Sequence, residues 1–303
     1  MTGRDSYDPY KVMHDFYRLD NPSEEEQFQF VEAMEYLIKT AVFDDDIIAF
    51  SYNLAMYYRD IRKFDLEKKY LELGIQHGSD IGKEQLGLIW YYGLCGDQDY
   101  ELAYTLFKDS NSRTGEYMIS DMYHNGQFVP WDDDKCRDIL ESIFENVESE
   151  ALDERFKLST LYPEIVVRLA KLNYLQERDT KDDLEHLFLA RDILSERQAR
   201  RPFWGNIKCM KQILDVTELY TGNDFEFIDL YDLLSLNTDS ATVNFIYAAD
   251  SYKIDIFRHE SETVYEFQDK WFHGPEDFLD KARIDDKRIT TVYDEVADIA
   301  LHR

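Results

Sequence analysis

Along most of the chain, apolar side chains recur every three or four residues, the spacing that lines one face of an α-helix; from Thr242 onward they alternate, the spacing of a strand with one buried face. Near the start, Pro9 opens a helix predicted over 9–19. Ser23 and Glu26 then form a capping box ahead of Phe30, Ala33, Met34, Leu37 and Ile38, which predicts a helix over 23–39. Pro163 opens another through Val166, Leu169, Ala170 and Tyr174, and Thr180 with Asp183 is expected to cap its partner through Leu184, Leu187, Phe188 and Leu194. A last helix pair is predicted over 203–220 and 224–235. After it, 242–248, 252–258 and 263–267 alternate at hairpin spacing and predict a three-stranded antiparallel meander. Gly274-Pro-Glu starts a short helix through Phe278, Leu279 and Ala282, and 287–301 fits either a helix or a strand.

Between these flanks the helical pattern repeats. Leu54, Leu86 and Ile119 head three copies, 32 and 33 residues apart. Each has a small residue at +1 (Ala55, Gly87, Ser120) and an aromatic at +4 (Tyr58, Trp90, Tyr123). The second and third copies also have glycine at −4 and +7 and a small residue, Ala103 or Cys136, seventeen positions on. Small residues let helix backbones approach, and glycine at +7 stops the helix. Each unit therefore reads as helix, turn and helix, with an apolar face that only a neighbouring unit can bury.

Leu86-Gly87-x-x-Trp90, and Tyr123-His-Asn-Gly126 continuing to Val129-Pro-Trp-Asp132, resemble the Sel-one-like repeat, a relative of the tetratricopeptide repeat. The third copy follows that signature most closely; the second lacks the Val after its Gly, and the first lacks the loop glycines. The spacing is shorter than is usual for the family. The resemblance is clearest over 46–147 and implies a mainly α fold, an α/α superhelical solenoid over 1–238. It is followed over 239–303 by a small α+β module, whose family is not recognised. A module of this size has a marginal core, so it is expected to dock on the last helices.

Composition narrows the function. With 63 acidic against 34 basic residues the formal charge is −29, and residues 242–303 carry −6 of it, so both parts are acidic. Such a surplus opposes phosphate backbones and anionic lipid, which excludes nucleic acid and membrane surfaces as expected partners. No apolar run approaches the roughly 20 residues of a membrane span, and the polar first ten residues lack a secretory h-region. Cys95, Cys136 and Cys209 have no metal-site spacing and fit a reducing compartment, so a cytoplasmic location is expected.

Motifs for chemistry are sparse. Gly78-Ser-Asp-Ile-Gly82-Lys83-Glu84 is one residue short of a phosphate loop, has Glu in place of the magnesium-binding hydroxyl and follows a helix; it is read as an inter-repeat turn. The runs 24–26, 44–46 and 132–134 stand where carboxylates cap helix amides and meet the dipole. No cofactor or metal is expected. An enzyme would have to draw on His259, Glu260 and His273 in the C-terminal module.

The repeats also indicate a face for a partner. Positions −2, +2 and +5 lie at about 140° to 200° around the first helix, away from the packed stripe. They are Tyr52, Met56 and Arg59, then Glu84, Leu88 and Tyr91, then Tyr117, Asp121 and His124. In similar solenoids the first helices line the concave surface, so the resemblance implies that these side chains share a groove for a protein or peptide. Replacing Tyr91 and Tyr117 is then expected to weaken binding and leave stability nearly unchanged. The function expected is a non-catalytic, bacterial protein-interaction scaffold. An acidic inhibitor or immunity-type protein neutralising a basic partner, and an enzyme with its site in the C-terminal module, are the competing readings.

Overall fold

The computed structural model describes residues 7–19, 21–202, 204–220, 239–259, 262–292 and 296–302. They form two compact units, Met1–Ile119 and Ser120–Arg303, which divide within one helix and not at the change of hydrophobic pattern. The expected partner helix over 224–235 lies outside the described residues.

The first unit is helical. Its helices are α1 (Pro9–Phe16), α2 (Glu24–Thr40), α3 (Asp44–Asp60), α4 (Phe64–Gln76), α5 (Asp80–Tyr92), α6 (Tyr100–Asp109) and the start of α7 (Arg113–Asn125), with α3 packed on α4 and α5 on α6 as helix pairs. The capping box forms: the Ser23 amide donates to Glu26 Oε2 at 2.8 Å, and Glu26 returns its amide to Ser23 Oγ at 3.3 Å. Asp44, Asp45 and Asp46 occupy the first turn of α3, but none caps it; Phe43 holds the cap position without a side-chain bond. Their role there is to meet the positive end of the helix dipole. The glycine-bounded turn at 78–83 is an inter-helix connection, with Ser79 Oγ accepting the Gly82 amide at 3.0 Å.

The small positions of the repeat serve close packing. A Cβ on Gly87 would stand 2.6 Å from Phe107 Cε1, and one on Gly115 would stand 2.5 Å from the Phe107 carbonyl oxygen, so α5 and α7 both close on the same buried ring-bearing residue of α6. Gly93 ends α5 in the left-handed conformation at φ +63°, as its +7 place requires. The first copy has Ile61 there, and Arg62 makes the left-handed turn one residue later, at φ +57°. Gly87→Leu should lower the unfolding free energy by about 1–3 kcal/mol or more through overpacking. Chemical denaturation reads this directly, and an unchanged midpoint would mean that the ring of Phe107 swings clear.

The second unit holds the end of α7, then α8 (Asp133–Ala151), α9 (Tyr162–Leu175), α10 (Asp183–Arg200) and α11 (Trp204–Tyr220). Pro163 sits in the first turn of α9 as its fixed φ favours. Thr180 does not cap α10: that helix begins at Asp183 behind Asp182, without a side-chain cap bond, and Thr180 contributes its carbonyl to the Asp183 amide.

The alternating segment forms β1 (Ser240–Tyr247), β2 (Asp250–His259) and β3 (Glu262–Phe267), the expected meander, extended by β4 (Lys270–His273) on one edge and β7 (Ala297–His302) on the other. All neighbours are antiparallel, in the order β4-β3-β2-β1-β7. A helix α12 (Pro275–Lys281), a small hairpin of β5 (Arg283–Ile284) and β6 (Lys287–Arg288), and the single turn α13 (Ile289–Val292) lie between β4 and β7. The ambiguous 287–301 is thus both, a helical turn and then a strand. Val243, Phe245, Ile254, Ile256, Tyr265 and Phe267 point inward together with Phe272 and Phe278. Their cluster takes in Leu175 of α9 and packs against Tyr174 and Trp131. The sheet therefore completes its core on α9 and the connection before α8, which supplies the apolar area that some sixty residues lack alone.

Candidate partner face of the helical repeats

None of the nine expected groove residues is fully exposed. In the first unit, α3 carries Tyr52, Met56 and Arg59 half-buried, and Tyr52 and Met56 pack against the apolar core. On α5, Leu88 is half-buried while Glu84 and Tyr91 are buried; Tyr117 on α7 is half-buried. The correction is physical. A first helix packs on its own second helix and also on the helix before it, α3 on α2 and α5 on α4, so its buried stripe is wider than one packing partner would make it.

Arg59 shows how the polar positions are used. Its Nε donates to Glu67 Oε1 of α4 at 2.7 Å, with Nη2 ion-paired to the same oxygen, and Nη1 donates to Gln85 of α5. Gln85 Nε2 in turn donates to Glu84 Oε1 at 2.7 Å. The Tyr52 hydroxyl lies in the same field: burial raises its pKa, Arg59 opposes that, and Glu84 and Glu67 add to it. Tyr91 turns into an aromatic cluster, 4.9 Å from the ring of Tyr92, 5.5 Å from Tyr100 and 6.2 Å from Phe107.

Glu67 was not singled out from the sequence, yet it anchors this network. It stands in the buried stripe Glu67, Tyr70, Leu71 and Gly74 of α4, and a carboxylate in an apolar helical stripe is the signal that identifies it. Its Oε2 is buried without a hydrogen-bond partner. Burial pushes its pKa above the ordinary carboxyl value of 4.5, and Arg59 only partly offsets the rise. The folded state therefore holds the Glu67 proton more tightly than the unfolded chain does, and stability from this group falls as pH climbs through 4.5 toward the raised value. Glu67→Gln, which cannot ionise, should gain on wild type as pH rises from about 4 to about 7 in paired denaturation curves. A gap that moves the other way would mean that Arg59 outweighs burial.

In the second unit, Asp121 and His124 are likewise engaged. Asp121 Oδ1 accepts from Arg168 Nη2 of α9 at 2.7 Å. His124 is fully buried, its Nδ1 2.6 Å from Asp133 Oδ1 in the first turn of α8. Further along, Arg137 of α8 donates to Asn173 Oδ1 at 2.6 Å and Gln176 Oε1 at 2.9 Å, and burial lowers its pKa. Asn173 donates to Asp183, which also accepts the Tyr220 hydroxyl. Both units thus tie successive helices together with buried polar side chains.

Of the residues named for an enzyme, His259 and His273 lie in the sheet of the second unit. His259 and His273 are exposed, His273 Nδ1 lies 3.2 Å from Glu262 Oε2, and Glu260 is outside the described residues. Among the described residues no group of three His, Cys, Asp or Glu could hold a metal ion, and no helix is long and apolar enough to cross a membrane. The cysteines are free; burial raises the thiol pKa of all three, that of Cys136 to about 12, so they are poor nucleophiles.

No family model matches the chain, and no curated protein matches it. Among solved structures it is similar to a Sel1 repeat protein from Oxalobacter formigenes, with 13% sequence identity over 70% of this chain and 88% of that one, at a TM-score of 0.43. A likeness of that extent says nothing about function; the resemblance to Sel-one-like repeats rests on the residues of 46–147 themselves.

Proposed function

We propose that this chain is a protein-interaction scaffold without catalysis or cofactor, and that its partner face is the inner side of the first helices in the first unit. One observation carries the reading. Arg59 of α3 reaches Gln85 of α5, so side chains of consecutive first helices meet on one side of the unit. On it Glu67, Gln85 and Glu84 are spent on structure, while Tyr52, Met56, Arg59 and Leu88 keep part of their surface. Aromatic, Met and Arg side chains of this kind are the ones interfaces favour. Tyr117 belongs to the same set, and Tyr91 and Glu84 act as its support. The partner is a protein or peptide, met in the cytoplasm, and neither nucleic acid nor membrane.

Charge patterning favours this reading over an acidic inhibitor. Basic side chains interrupt the acids along the surface, as in the pairs Lys83 with Asp80, Lys135 with Asp132 and Arg155 with Asp153. A continuous acidic patch, which an electrostatic inhibitor needs, gains no support from that mixture. The test is a photo-crosslinking residue placed at Leu88 and, as control, at the exposed Glu72 of α4, in the full chain within source cells. A protein adduct at Leu88 that excess unlabelled chain removes, with none at Glu72, is the expected result. Equal adducts at both positions, or none at Leu88, would overturn the proposal.

A further inference from the structure

The helices α1 to α3 carry a second surface with a different chemistry. Here the connection from α2 to α3 presents Val42 at 84% and Phe43 at 69% exposure, beside Tyr10 and Tyr36, each 51% exposed. With Pro9 and Asp46 they line an open groove of about 290 Å³. Tyr7 extends it, its ring edge-on to Tyr36 at 6.1 Å. Large apolar side chains gathered this way mark contact sites on soluble proteins.

The rim supplies the second observation. Asp46 lines the groove, and Asp8, Asp44 and Asp45, chain neighbours of its lining residues Pro9 and Phe43, are exposed. Asp44 is occupied by His77 Nδ1 at 2.7 Å, while Asp45 and Asp46 have no described cation within ion-pair distance. A second copy of a chain carrying −29 would bring like charge to this rim, as would an anionic lipid surface.

We propose that this groove docks a protein segment whose aromatic or aliphatic anchor is flanked by Lys or Arg. The anchor covers Val42, Phe43 and Tyr36, and the flanking cations meet Asp45 and Asp46. The site shares no residue with the inner face of the repeats, so each reading can fail alone.

Short random peptides displayed on phage, selected on the full chain and counter-selected on a Val42→Ser/Phe43→Ser variant, test it. Both positions are exposed, so the variant keeps its fold, and its unfolding midpoint verifies this. Enriched peptides should carry an apolar anchor with basic flanks. A synthetic copy should bind the variant about tenfold or more weakly than wild type, lose affinity with Asp45→Asn/Asp46→Asn and with rising salt, and be indifferent to Leu88→Ala. Peptides that bind wild type and the serine variant equally, or that carry acidic flanks, would overturn the proposal. So would a concentration-dependent dimer in sedimentation that the serine variant abolishes, since a second copy would then occupy the groove.

Discussion

Tyr91→Ala should cost about 3–5 kcal/mol of unfolding free energy, the range for deleting a large buried ring. The side chain is 6% exposed and sits among Tyr92, Tyr100 and Phe107, so truncation leaves a cavity between α5 and α6 with aromatic walls that cannot collapse freely. Tyr91→Phe keeps the ring stack and should cost far less. The helical period alone gives the opposite expectation, that Tyr91 is a surface anchor whose loss spares stability. Denaturant midpoints of the two variants separate the cases: an alanine variant as stable as wild type would return Tyr91 to the surface.

Asp133→Ala should cost about 1–3 kcal/mol, because it removes the carboxylate oxygen that lies 2.6 Å from Nδ1 of fully buried His124. The same carboxylate lies in the first turn of α8, where it also meets the helix dipole. Burial, and to a lesser degree the charge of Asp133, raise the phenol pKa of Tyr265 in the sheet. Asp133→Asn keeps an acceptor for the His124 ring and should lose clearly less. If the two variants were equally damaging, charge and not hydrogen bonding would hold this corner together.

What the sequence reveals follows from where each kind of information resides. The repeat was legible because its small positions are steric requirements: Gly87 and Gly115 leave room for Phe107, and Gly93 turns the chain at positive φ. Each requirement leaves a residue type that few alternatives can replace. The sheet was legible as far as β1 to β3, whose one-sided burial imposes alternation. Its edges were not, because β4 has only four residues and β7 follows a single helical turn, too short for either period to emerge. The proposed partner face was legible only as an angle around a helix. Which of its polar members are exposed depends on neighbours far along the chain: Arg59 is drawn inward by Gln85 and Glu67, and Asp121 by Arg168 forty-seven residues away. A one-helix period carries no record of those partners.

The central claim is a division of labour on that face, with Glu84 and Tyr91 building the fold and Leu88, Tyr52 and Met56 meeting the partner. Substituting each of the five in turn, and measuring both folded abundance and retention of the partner crosslinked through Leu88, tests it most directly. The account predicts that changes at Glu84 and Tyr91 reduce folded abundance and retention together, whereas Leu88→Ala reduces retention with abundance preserved, and Tyr52 and Met56 lose more retention than abundance explains. Retention that follows abundance at all five positions would contradict it.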